Sequence, residues 1–159
     1  MTTTHNSLFI AEQLVRITAK EVRYLERTVN RLRNMNIDLV WVESLENSDE
    51  HSEMLDAFVS RYGRLQDTLG DKLLPAMLRL SLEKTGSQLD NLLRAEKLGW
   101  IESTQVWIEL RELRNRLVHE YMESASDLLS ALQQALQSAH KLGETQLRMA
   151  ETVQKVQVK

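Results

Sequence analysis

The chain has no cysteine, one proline and five glycines among its 159 residues. Without a thiol there is no disulfide framework and no thiolate metal site, and the absence fits a reducing cytoplasm. So few turn formers, against an abundance of Leu, Glu, Gln, Arg and Ala, point to an all-α protein. No stretch approaches the roughly 20 apolar residues that span a bilayer. The start, Met1 to Ser7, lacks the basic region and apolar run of a signal peptide. A soluble, cytoplasmic protein with no membrane partner is expected. A basic surplus is also missing: the net charge is −3 and the pI about 5.8. A protein that coats nucleic acid usually carries such a surplus, so any RNA is expected to be gripped locally by a few arginines.

What is present is helical periodicity. The length suits one domain, residues 1–159, with a core over about 8–150 and a frayed tail from 151. Ser7 is placed as the cap of a first helix reaching Arg33, with Leu14, Ile17, Val22, Leu25, Val29 and Leu32 at helical spacing. Asn34-Met35-Asn36 breaks it. Residues 37–45 are ambiguous between a short helix and an extended segment. Asn47-Ser48-Asp49 caps a long helix over about 50–84, in which Pro75 is expected to make a kink. Ser87 and Asp90 start a helix over 88–98, which Gly99 ends, with Trp100 and Ile101 folding back on it. Ser103 or Thr104 starts another, over 105–121, and Ser124 to Asp127 cap the last, over 128–150. The pattern implies an up-down bundle of four main helices plus a short one.

The helix over 105–121 holds the candidate chemistry, Arg114-Asn115-Arg116-Leu117-Val118-His119-Glu120-Tyr121. Histidine's unperturbed pKa lies near neutrality, so it can take and give a proton. A permanently charged guanidinium nearby can hold a phosphate. At about 100° per residue, Val106, Leu110, Leu113 and Leu117 form a core stripe. Ile108, Asn115 and His119 share a second face, with Val118 and Tyr121 beside Arg114. A second face without a run of Lys and Glu is what a homodimer seam would look like, although one isoleucine can simply be exposed. From the residues alone, His119 also reads as a surface or packing residue, Arg114 as an ion-pair partner and Tyr121 as a half-buried anchor.

The octapeptide resembles the signature of HEPN domains (higher eukaryotes and prokaryotes nucleotide binding). It is closest in pattern to their HepT-like branch, Arg-x4-His-x-Tyr with Asn after the Arg; Arg114, Asn115, His119 and Tyr121 match without gaps. Two upstream segments are also similar to that branch: Arg61-Tyr62-Gly63-Arg64-Leu65-Gln66-Asp67-Thr68-Leu69-Gly70, and Glu96 to Ile101 followed by Trp107 and Leu110 to Asn115. The likeness spans about residues 55–125. It implies a homodimeric, metal-independent endoribonuclease acting as the toxin of a type VII-like toxin–antitoxin pair. The implied partner is a minimal nucleotidyltransferase antitoxin that transfers AMP onto Tyr121. His119 would be the acid or base, Arg114 the phosphate-binding residue and Asn115 a polar positioning residue, meeting their counterparts across the seam.

Such a site needs no cofactor, because the RNA 2′-hydroxyl is the nucleophile. The histidines His5, His51, His119 and His140 show no paired metal-ligand spacing. Arg61, Arg64 and Arg111 are further candidates for RNA or phosphate binding; the bland alternative pairs Arg61 and Arg64 with Glu53, Asp56 or Asp67. Met35, Met54, Met77, Met122 and Met149 read as filler, and Trp41, Trp100 and Trp107 as packing anchors. A second reading makes the chain a non-catalytic, nucleotide- or partner-binding companion of the transferase, with Arg114, Asn115 and His119 holding a phosphate.

Overall fold

The computed structural model describes residues 2–120 and 124–158, and these contain helices and turns with no strand. The elements are α1 (Thr2–Arg33), α2 (Leu39–Glu43), α3 (Asp49–Asp67), a π-helical segment (Thr68–Leu73), α4 (Leu74–Leu80), α5 (Gln88–Lys97), α6 (Thr104–Glu120) and α7 (Ala125–Val158). A single 3₁₀ turn, Ser44–Glu46, follows α2.

Most ends follow the local chemistry of the sequence. Ser48 accepts from the His51 N–H at the start of α3, and Ser103 accepts from the Val106 N–H at the start of α6. Ser87 and Asp90 form a reciprocal capping box on α5. Gly99 takes a φ of 79° just beyond α5, and Trp100 and Ile101 are buried behind it. The ambiguous segment resolves as helix because the Asp38 carboxylate accepts from the Trp41 N–H, leaving Trp41 and Val42 buried.

Three boundaries differ from expectation. α1 begins at Thr2, so Ser7 lies inside it instead of capping it; no Gly or Pro stands upstream to stop the helix. α7 runs to Val158, through the stretch expected to fray, because Val153 is buried in the core and Val156 packs against it. The long helix expected over 50–84 stops being α-helical at Thr68. The irregularity precedes Pro75: the Leu74 N–H donates to the Leu69 carbonyl, five residues back. A proline has no N–H for the Asp71 carbonyl and its ring crowds that oxygen, so a wider turn ahead of the ring relieves both faults. The helix then ends at Leu80, where Leu82 adopts a φ of 58°.

Named contacts fix how the helices run. α1 and α7 are antiparallel: Arg33 donates to the Leu136 carbonyl at 2.7 Å, and Gln146 to the Val15 carbonyl and Thr18 hydroxyl. α1 and α3 are antiparallel too, with Arg61 reaching Tyr24 and Thr28, and Thr68, just past the end of α3, reaching Glu21. α6 packs on both α3 and α7. One apolar cluster joins these faces, centred on Phe58, Tyr62, Leu65, Leu69, Leu73 and Leu117. Burying each such side chain contributes about 1.5–3 kcal/mol.

Candidate functional site

The site is built where α6 crosses α3. Two glycines two turns apart, Gly63 and Gly70, let the helices approach. A Cβ on Gly63 would stand 3.0 Å from Arg114 Nε, and one on Gly70 would stand 3.1 Å from Trp107 Cζ2. Between them the buried Gln66 side chain donates to the Leu110 carbonyl at 2.9 Å. Trp107, Leu110 and Leu117 are fully buried, whereas Val106 and Leu113 of the expected stripe are only half-buried. Their outer edges line an open groove of about 390 Å³ against α7.

Two ion pairs flank this crossing. Arg114 donates to both carboxylate oxygens of Asp67, at 3.5 and 3.3 Å. Arg111 lies 3.8 Å from Asp71, which also accepts from Gln88. Arg114 and Asp67 keep 31% and 40% of their side-chain surface, so the pair orients the guanidinium more than it stabilises the fold; exposed pairs contribute at most about 1 kcal/mol. Asp67 thus orients the phosphate-binding candidate and offsets part of its charge.

Asn115, Val118 and His119 are exposed on the last turns of α6, and Ile108 is half-buried. Five residues separate Arg114 from His119, which is about 140° around the helix and some 7.5 Å along it. Within the chain, therefore, the guanidinium faces α3 while the imidazole is exposed on another side of α6. By helix geometry Asn115, like His119 exposed, shares the face of His119 and not that of Arg114. Tyr121, the expected site of modification, and Met122 lie outside the described residues.

The other arginine candidates go elsewhere. Arg61 donates to the Tyr24 carbonyl at 3.1 Å and to the Thr28 hydroxyl at 2.6 Å, tying α3 to α1. Neither this arginine nor Arg64, which is exposed and donates to Ser60, pairs with an acid of its own helix among the described residues. Glu21 sits beside Thr68 and Arg64; burial raises its carboxyl pKa above the usual range, against the Thr68 hydrogen bond and the positive charge of Arg64. Trp41, Trp100 and Trp107 are buried, as are Met54, Met77 and Met149. Among the described residues no three His, Asp or Glu side chains group so as to hold a metal ion. None of their helices is long and apolar enough to cross a membrane.

Sequence reasoning offered Arg114 an acidic partner on a neighbouring helix, as observed, but identified neither Asp67 nor Gly63 as the residues that meet it. The segment that contains them was singled out by its resemblance, but 47 residues separate Asp67 from Arg114 and no local pattern links them. Comparison of the chain with protein-family models, with curated proteins and with solved structures finds no match.

Proposed function

We propose that the chain is a HEPN-like, homodimeric endoribonuclease of the toxin class, its main helices forming an up-down bundle in the HEPN manner. Its composite site uses Arg114 of one subunit with His119 of the other, and AMP transferred onto Tyr121 by a minimal nucleotidyltransferase silences it. The observation that carries this reading is the divergence of Arg114 and His119 around one helix, with the apolar Val118 58% exposed between them. A two-fold seam places each patch against its own copy, residue i on residue j and j on i, so groups that diverge in one subunit can converge across two. Asn115, on the face of His119, supplies a neutral polar contact for the substrate.

The chemistry balances without a metal. The 2′-oxygen attacks phosphorus as a base removes its proton; the bond to the 5′-oxygen breaks and that oxygen takes a proton. A cyclic 2′,3′-phosphate and a 5′-hydroxyl result. His119 serves one of the proton transfers, and Arg114 stabilises the charge growing on the phosphoryl oxygens, help worth about 3–4 kcal/mol per fixed donor in other enzymes. An AMP on Tyr121 adds an anion where the substrate phosphate belongs, and so blocks it by occupancy and repulsion.

The test is cleavage of RNA in the presence of a chelator by the purified chain and by Arg114→Ala and His119→Ala, with sedimentation confirming a folded dimer throughout. Loss of cleavage in each variant is expected; a double variant cutting as fast as the parent overturns the assignment. Co-expression with the transferase should add mass in AMP-sized steps, absent from Tyr121→Phe. The Asp67 carboxylate favours the second reading, a non-catalytic companion of the transferase, because it offsets the charge of Arg114 in each subunit. Growth arrest on expression without the transferase, and relief with it, separates the toxin from the companion.

A further inference from the structure

α1 carries Arg16, Lys20, Arg23, Arg27 and Arg31, at intervals of four, three, four and four. That period confines them to about 80° of one side of the helix, over roughly 22 Å of its length. All five are exposed. Among the described residues none of them has a carboxylate within ion-pair distance. Two of the three acids of α1 point aside: Glu21 accepts from Thr68 of the π-helical segment, and Glu26 lies beside Gly143 on α7, while Glu12, one turn before Arg16, borders the start of the ridge. The net charge of −3 therefore conceals a face of one sign.

An aromatic group completes the ridge. Tyr24, 45% exposed, has the guanidinium carbons of Arg27 and Arg61 each 5.6 Å from its ring centroid. Arg61 carries the positive surface onto α3, where exposed Arg64 continues it toward the Asp67–Arg114 pair. At the far end Glu50 and Glu53 form the wall of a groove of about 320 Å³ opposite Arg27 and Arg31, so the purely cationic stretch is Arg16 to Arg23.

We infer that the outward face of α1 is a track for the phosphates of single-stranded RNA, with Tyr24 as a stacking platform, leading the strand over α3 toward Arg114. Single-strand binders combine a cationic path along the backbone with aromatic rings for the bases. A helix lying on an anionic membrane needs a broad apolar face beside its cations; the apolar side of α1 is buried in the core, and only Phe9, Ile10 and Ile17 are exposed apolar groups, confined to its N-terminal half. The choice of RNA as the polyanion rests on the ribonuclease reading.

The experiment is fluorescence anisotropy with a labelled, unstructured RNA 20-mer, in a His119→Ala background to prevent cleavage. Arg16→Gln, Arg23→Gln and Arg27→Gln are combined, and Lys84→Gln before α5 with Arg94→Gln and Lys97→Gln on it serve as a charge-matched control. Circular dichroism verifies that both stay folded. The ridge variant should bind at least tenfold more weakly at 0.15 M salt, with the log–log salt slope about two units shallower, as expected for three lost phosphate contacts; the control should stay within twofold. Equal affinity of the ridge variant and its background overturns the proposal, as does an equal loss in the control. Binding to 3:1 phosphatidylcholine–phosphatidylserine vesicles without binding to RNA also overturns it and assigns the ridge to a membrane surface. Ridge-dependent RNA binding by a parent chain that never cleaves sustains the track and removes the nuclease; cleavage and binding both indifferent to the ridge remove the track alone.

Discussion

Gly63 on α3 and Arg114 on α6 occupy one another's space: the nearest atom to a Cβ built at position 63 is Arg114 Nε, at 3.0 Å. The guanidinium lies where a side chain would be, and from there reaches both oxygens of Asp67, one turn further along α3. Absence of a side chain at one position thus sets the direction of a charge on another helix.

Gly63→Ala and Gly70→Ala should separate function from stability. At position 63 the obstructing atoms belong to a flexible arginine that can swing aside, while alanine gains about 1 kcal/mol of helix propensity. The melting temperature should hold or rise, and RNA cleavage should fall at least tenfold. At position 70 the obstruction is the rigid, buried ring of Trp107. That variant should lose about 1–3 kcal/mol in urea unfolding.

Asp67→Asn should leave stability within about 1 kcal/mol, since the pair is half-exposed. It removes an anion beside the proposed phosphate site and also the group that orients Arg114. RNA should bind severalfold more tightly while single-turnover cleavage slows about tenfold. Cleavage at the parental rate would show that the carboxylate has no positioning role.

Leu82 holds a left-handed backbone at the end of α4, with the Glu83 N–H donating to the Leu78 carbonyl at 2.8 Å. This is the C-terminal turn that ordinarily takes glycine, and a Cβ there costs about 1–2 kcal/mol. The side chain is 89% exposed, so its removal forfeits almost no packing. Leu82→Gly should stabilise by about 1 kcal/mol, a rise of about 2–4 °C in melting temperature for a chain this size.

Tyr62 is fully buried, and burial pushes its phenol up to about 12 against the hydrogen bonds with Ser138 and Gln66. An acid whose pKa is raised in the folded state keeps its proton there while the unfolded chain releases it near pH 10. Its contribution is therefore complete below pH 10 and is lost as pH climbs toward 12, by about 2–3 kcal/mol. Urea unfolding at pH 8, 10 and 11.5 should show the parent losing more stability than Tyr62→Phe, and the difference between the two curves isolates this group from the lysines.

The parts legible in the sequence are those with short range. Asp90 sits three residues after Ser87 and Gly99 just past Lys97, so a cap and a stop were readable there. The break at Asn34 to Asn36 and the ring of Pro75 were equally local, although the wider turn came before the proline, because the fault that proline creates lies at the carbonyl four residues upstream. The start of α1 was not legible because no Gly or Pro stands before Ser7 to stop the helix, and the end of α7 was not because Val153 and Val156 pack on distant parts of the chain. The segment around Gly63 was marked by resemblance, but its bond to Arg114 crosses 47 residues.

The amino-acid order by itself determined helix, cap and period, because these depend on torsions and hydrogen bonds within a few residues; the five-cation interval of α1 was already written there. Tertiary structure alone decided which way each face turns. Packing of α1 on its neighbours draws Glu21 and Glu26 aside and leaves the cations in solvent, and the α3–α6 crossing sets Asp67 against Arg114 while His119 is exposed on another side of α6. Rotation about a helix axis is set by what the apolar stripe must bury, and that depends on partners distant in the chain.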